Sequence, residues 1–155
     1  MKALAPVIVA SLILGTPLCA RAGDGRAILP SWFKDGSPNS TSIFISNISN
    51  EQVTIYVKLF KENGDPYDEA SESGTNFLVA RGFSGDPLSV SGATLDTNAT
   101  GEFRILGSGP TETGYGVIEW ESSGRSRFAV IAFARYTFTE PSGIAVVPVN
   151  DLQPF

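Results

Sequence analysis

The sequence predicts an all-β protein: a single-domain antiparallel β-sandwich, Ig-like or jelly-roll-like, with about seven to nine strands. Three observations carry that prediction. No stretch sustains the roughly 3.6-residue period of an amphipathic helix. Residues 52–60 alternate instead, with Val53, Ile55, Val57 and Leu59 on one side and Thr54, Tyr56, Lys58 and Phe60 on the other. A period of two marks a strand with one face in a core. Turn chemistry also recurs at the spacing of short strands, in residues 34–39, 47–51, 63–64 and 107–110. There Gly supplies positive φ, Pro fixes φ, and Asp and Asn cap the backbone locally.

The chain opens on an expected address. Lys2 gives a basic start, and residues 3–18 form an apolar run interrupted by proline. That run is too short to span a membrane stably. Ala20 and Ala22 are small residues where a signal peptidase reads, so cleavage after Ala22 is expected. Residues 1–22 are then a signal peptide and residues 23–155 the β-sandwich domain, secreted or periplasmic. A lipoprotein modified at Cys19 is disfavoured, because Leu18 stands where a lipobox wants a small residue. No later segment is apolar enough for a transmembrane helix.

The elements follow in order. Residues 23–26 read as a flexible start and 27–33 as a first strand bent at Pro30. Residues 41–46 form a strand with Ile43 and Ile45 on one face. The alternating strand 52–60 follows, and Asn63-Gly64 then signals a hairpin through a type I′ turn, which needs φ > 0 twice. Residues 77–79 and 88–90 are short strand candidates in a stretch that could cross between two sheets. Residues 100–106 resume with Phe103 and Ile105 inward. Residues 115–138 are the most apolar part of the mature chain and read as a strand, a tight turn and a longer strand. In the first of these, Val117, Glu119 and Glu121 share one face and Gly116, Ile118 and Trp120 the other. Residues 128–134 are apolar at every position, as for a central strand covered on both faces. A last strand covers 142–149, before an irregular tail.

Composition excludes more chemistry than it suggests. The chain has 155 residues, 11 basic and 16 acidic, with a net charge of −5. Losing Lys2 and Arg21 with the leader makes the balance 9 − 16 = −7. Nucleic acid and anionic membranes are held by clustered Lys and Arg, so neither is an expected partner. There is no His, and the one Cys lies in the leader. Ser-His and Cys-His nucleophilic catalysis and the usual zinc, copper and haem ligation are therefore excluded. Without disulfides the domain must be held by core burial, for which its length suffices.

Several residues are candidates for function. Glu119 and Glu121, two apart on one strand, could hold their carboxyls within the roughly 5–9.5 Å that glycosidases use. The plainer reading is the wet face of a half-exposed strand. Ser31 and Lys34 match S-x-x-K but sit at a strand end and lack the accompanying motifs, so the match reads as chance. Asp65, Asp68, Glu69 and Glu72 could bind calcium, though not in an EF-hand spacing. Otherwise no cofactor is expected. Asn39, Asn47 and Asn98 open glycosylation sequons. Trp32, beside a Gly/Pro turn, is the leading aromatic for stacking on a ligand such as a sugar. Tyr56 and Phe60 flank Lys58 on an outer face and form a small amphipathic patch.

Residues 42–47, then Val53-Thr54-Ile55-Tyr56-Val57 and Gly64, resemble a pattern in small exported bacterial β-sandwich proteins. There a strand ends in Asn, a polar turn follows, and the next strand runs into a Gly turn. Residues 116–120 and 129–132 fit the second half of that layout. The outline is also similar to the sensory-rhodopsin-transducer sandwich, a cytoplasmic family whose function does not carry over to a chain with an export signal. The resemblance implies a fold and a place outside the cytoplasm, with no catalytic residues to transfer. The expected function is non-enzymatic: a structural, adhesive or protein-interaction module at or outside the bacterial cell envelope. Its contact would form at an open sheet edge or the Tyr56/Phe60 patch, with another protein or with copies of itself. The alternatives are a carbohydrate-binding module and a small glycan-acting enzyme using Glu119 and Glu121.

Overall fold

The computed structural model describes residues 23–35, 39–67, 77–106, 110–139 and 142–155. Residues 1–22, where a signal peptide is expected and which include Cys19, lie outside these residues, as do Asp68, Glu69 and Glu72. Ten strands form among them: β1 (Gly23–Lys34), β2 (Ser40–Asn47), β3 (Val53–Lys61), β4 (Phe77–Arg81), β5 (Ser84–Gly85), β6 (Ala93–Leu95), β7 (Thr100–Leu106), β8 (Glu112–Ser122), β9 (Val130–Thr139) and β10 (Ser142–Pro148). They make two five-stranded sheets, a front sheet ordered β1-β8-β3-β6-β5 and a back sheet ordered β10-β9-β2-β7-β4. Every pairing is antiparallel. The all-β sandwich is as predicted, with one strand more than the expected range.

The order also separates the two sandwich types left open by the sequence. β1 pairs with β8, β2 with β7, and β3 with β6. That is the pairing of one long hairpin rolled up, alternate strand pairs falling into alternate sheets: a jelly roll. β9 and β10 extend the back sheet beyond β2.

Inward positions follow the alternation. Val53, Ile55, Val57 and Leu59 are buried, as are Ile43, Ile45, Phe103, Ile105, Ile118 and Trp120. Each large apolar side chain fully removed from water contributes about 1.5–3 kcal/mol. This burial is what holds a domain without disulfides.

Residues 115–138 do not form the expected hairpin. β8 lies between β1 and β3, while β9 lies between β10 and β2 in the other sheet. The link 123–129 is a crossover, fixed at one end by Gly23 N–H donating to Gly124 O at 2.8 Å. Nor is 128–134 covered on both faces. Ala129, Val130, Ala132 and Ala134 are buried, but Phe128 is 66 % exposed, and Ile131 and Phe133 are half-buried on the outer side.

Other departures have local causes. Gly23 through Arg26 are strand, paired with Ser122 through Glu119, not a flexible start. Residues 88–90 form a turn, not a strand, because Asp86 captures them. Its carboxyl takes the Leu88 N–H at 2.9 Å, and its carbonyl takes Ser89 Oγ at 2.8 Å. At 63–64 the chain does turn, with Gly64 at φ 87. Asn63 is not in the positive-φ region, so the type I′ geometry is not met. The return pairing is a single bridge from Phe60 to Pro66, flanked by Lys61 N–H donating to Asp65 O at 2.8 Å and Tyr67 N–H donating to Leu59 O at 2.9 Å. After β10, Asn150, Asp151 and Leu152 turn left-handed at φ 49, 51 and 59. Phe155 then exchanges hydrogen bonds with Val130, its N–H at 2.9 Å and its oxygen at 3.2 Å.

Each tryptophan of the β1–β8 pair faces a glycine. Trp120 is registered with Gly25, and Trp32 with Gly114. Trp32 Nε1 donates to Phe60 O and Tyr115 O, both at 3.1 Å. Trp120 Nε1 donates to Phe155 O at 2.6 Å. The two indoles thus bury their rings and still place their one polar atom.

Candidate functional site

The outer face of the front sheet is built by the exposed halves of β1, β3 and β8. Glu119 sits between two cations, with Lys58 Nζ at 2.7 Å and Arg26 Nε at 3.6 Å. Tyr56 is registered with Glu119, yet its hydroxyl donates to Glu121 on the diagonal. That hydrogen bond, then burial, then the charge of Glu121 push the Tyr56 phenol above its ordinary pKa. The Phe60 ring stacks on Tyr115, centroids 4.9 Å apart at 14°. An open cleft of about 420 Å³ lies over this face, lined by Tyr56, Lys58, Glu119 and the 88–90 turn. Tyr56 and Phe60 thus share a surface as the alternation predicts. Both predicted carboxyls face it, and both are engaged by neighbours.

Trp32 does not belong to that surface. It is fully buried, edge-on to Tyr67 with centroids 5.0 Å apart. No ligand can stack on it. The cause is a register shift in β1 between Leu29 and Trp32, at Pro30. A bulge inserts one residue and reverses the alternation beyond it. Ser31 and Lys34 also part company: Ser31 Oγ bonds the Tyr136 hydroxyl, and Lys34 pairs with Glu112 at 2.6 Å.

The Lys34–Glu112 pair is interior, with only 2 % of the lysine side chain and 19 % of the glutamate exposed. Lys61 reaches the same carboxyl at 3.6 Å. Burial alone would raise the Glu112 pKa. The hydrogen bonds and charges of Lys34 and Lys61 outweigh it and hold the carboxyl below its ordinary 4.5.

Asp65 is exposed and accepts from Asn63 Nδ2 at 2.7 Å, as part of a turn. Its proposed calcium partners Asp68 and Glu69 lie outside the described residues. Among the described residues, no three acidic, Cys or His side chains converge as a metal site.

In the sequence Asn47 marks only the end of a strand and the start of a sequon. It is buried, and its Nδ2 donates to Glu51 O, Leu95 O and Asp96 O at 2.7, 3.1 and 3.0 Å. Its Oδ1 accepts from Ser49 N and Oγ. Asn47→Ala is expected to lower stability by about 2 kcal/mol, because it strands buried carbonyls. Urea unfolding measures this directly.

The feature that sequence reasoning left unspecified is the free edge of the back sheet. β10 pairs with β9 on one side and has no strand on the other among the described residues. Its sequence, Ser-Gly-Ile-Ala-Val-Val-Pro, has no charge. Ile144 is 69 % and Val146 57 % exposed. Val149 N–H donates to Ala132 O at 3.1 Å, in the same register as β10 with β9. Hydrogen-bonded pairs alternate in an antiparallel ladder. Val147, Ala145 and Gly143 therefore turn their backbone groups to β9, and Ser142, Ile144 and Val146 turn theirs outward. Ile144, Val146 and Pro148 share the outer face with Arg135 and Phe133, their neighbours on β9. There Phe133 stacks on Phe44 at 4.8 Å and 13°, and the Arg135 guanidinium lies 5.0 Å over the Phe44 ring. Comparison with known proteins finds no family model, curated protein or solved structure that matches this chain.

Proposed function

We propose that this chain is a non-enzymatic, exported module that works by protein contact, adding an extended strand of a partner at the free edge of β10. The observation that carries the reading is the β10 edge itself. An uncharged strand with outward backbone donors and acceptors and two exposed aliphatics is a template for strand addition. Natural sandwiches commonly blunt such edges with charge, proline or a bulge. The other three edges here are blunted: β1 carries Asp24, Arg26, Pro30 and Lys34, β4 ends in Arg81, and β5 has two residues. The non-enzymatic part is supported by Glu119 and Glu121, each engaged by neighbouring side chains. Export is supported by the basic and apolar start with Ala20 and Ala22, and by the resemblance to small exported sandwiches.

The test is binding of a capped, labelled peptide copying residues 142–148 to the folded protein, followed by fluorescence anisotropy. Saturable binding is expected. Val146→Pro in the protein removes one outward N–H without touching the β9 ladder, and it should weaken binding about tenfold, or roughly 1.4 kcal/mol. Absence of binding to the wild type removes the strand-addition reading. Glycan binding lost on Tyr56→Ala would favour the carbohydrate alternative on the front sheet.

A further inference from the structure

We infer that the strand received at the β10 edge is β10 of a second copy of this chain, paired antiparallel about a two-fold axis through Ala145. The inference rests on the strand-addition reading and names the partner.

Strands join only where outward backbone groups meet outward groups. In β10 these belong to Ser142, Ile144, Val146 and, as an acceptor only, Pro148. A two-fold centred on Ala145 sets Ile144 against Val146 of the second copy and Ser142 against its Pro148. All four outward residues then have outward partners. Moving the centre by one residue to Ile144 or Val146 leaves an end of the edge unmatched. The missing N–H of Pro148 falls at the two ends of the paired segment, where it breaks no central bond.

The side chains agree with this register. Ile144 and Val146 lie on the outer face, so each aliphatic meets the other type across the axis as a directly opposed cross-strand neighbour. A chain with 16 acidic and 11 basic residues repels its own copies over most of its surface. β10 is the edge where no charge opposes approach. The product is one continuous sheet from two five-stranded back sheets, within the size that open sheets reach. Its outer face carries the Phe44–Phe133 stacks of both copies. Paired edges alone bury less than the roughly 1,200 Å² of a standard interface, so association is weak and concentration-dependent.

The register places the two Ala145 residues directly opposite each other, as a pair without mutual hydrogen bonds. The Cα atoms of such a pair lie about 4.5 Å apart, within disulfide range. The experiment uses the full chain with Cys19→Ser, so that Ala145→Cys supplies the one thiol. Oxidation should link Ala145→Cys into dimers and leave Ser84→Cys, on the far edge of the other sheet, unlinked. Light scattering of the wild type should show a monomer–dimer transition between about micromolar and millimolar protein. Ile144→Lys and Val146→Pro should each shift that transition to at least about tenfold higher concentration. A wild type that stays monomeric at all concentrations, with Ala145→Cys unlinked, overturns the inference. If that monomer still binds the 142–148 peptide, strand addition stands and self-pairing alone falls. If it binds no peptide, both fall. A dimer unaffected by Ile144→Lys and Val146→Pro uses another surface and equally overturns the inference.

Discussion

Gly114→Ala is expected to remove about 4 kcal/mol of stability, a large part of the 5–15 kcal/mol typical of a domain. A Cβ at this position would lie 1.7 Å from Phe60 O and 2.9 Å from Trp32 Nε1. The first contact is with backbone, where β8 runs between β1 and β3. Relieving it means moving β8 off β3 at the Lys61–Gly114 end of their register. The second displaces the indole that donates to Phe60 O and Tyr115 O. One methyl group therefore adds overpacking and leaves two carbonyls without their donor. Gly25→Ala should follow at about 3 kcal/mol, its Cβ lying 2.3 Å from Trp120 Nε1 and 2.8 Å from the Phe155 carbonyl carbon. Gly64→Ala is the control. It has open space but sits at φ +87, so its cost is the left-handed backbone alone, about 1 kcal/mol. Urea unfolding followed by tryptophan fluorescence ranks the three. Equal losses at Gly64 and Gly114 would show that conformation, and not the Trp–Gly packing, sets the penalty.

The same tryptophans show how far the sequence can be read. Trp120 lies in an unbroken alternation with Ile118, and its inward direction is legible. Trp32 follows a bulge, and alternation from Ala27 and Leu29 sends it the wrong way. Pro30 signals that β1 is interrupted but not that one residue is inserted. Residues 115–138 mislead for a different reason. A polar link between two apolar strands looks alike whether the strands pair or part, because the choice depends on partners distant in sequence. β8 takes β1 and β3, and β9 takes β2 and β10. The outer patch of Tyr56 and Phe60 was legible, since it depends on alternation within one strand. The β10 edge was not singled out, because its exposure depends on the order of the whole sheet. Its lack of charge was visible throughout.

Glu112→Gln should destabilise the protein by about 3 kcal/mol at pH 7, the lower end for breaking a buried ion pair, because Glu112 keeps some contact with water. It removes the carboxylate that Lys34 meets at 2.6 Å and Lys61 at 3.6 Å. The sharper signature is in pH. The folded-state pKa of Glu112 lies below its ordinary 4.5, so the unfolded chain binds this proton more readily than the fold does. The stabilisation is thus complete above the unfolded value and is lost as the pH falls through the folded one. Glu102 behaves alike. Burial pushes it up, but the hydrogen bond and charge of Arg104, the hydrogen bond from Ser42 and the charge of Arg135 hold it below 4.5. With no histidine in the chain, the stability of the wild type should change little from about pH 7 to 5 and fall below about pH 4.5. Urea titrations across that range should give Glu112→Gln a lower plateau and a shallower acid limb than the wild type. A variant with the lower plateau but the full wild-type acid slope would mean that Glu112 stabilises by packing, and that its charge does not contribute. Because Lys34 lies against β8 and the Tyr67 ring, with its nitrogen 5.4 Å from the ring centroid, the two contributions meet at one residue. The slope separates them where the plateau cannot.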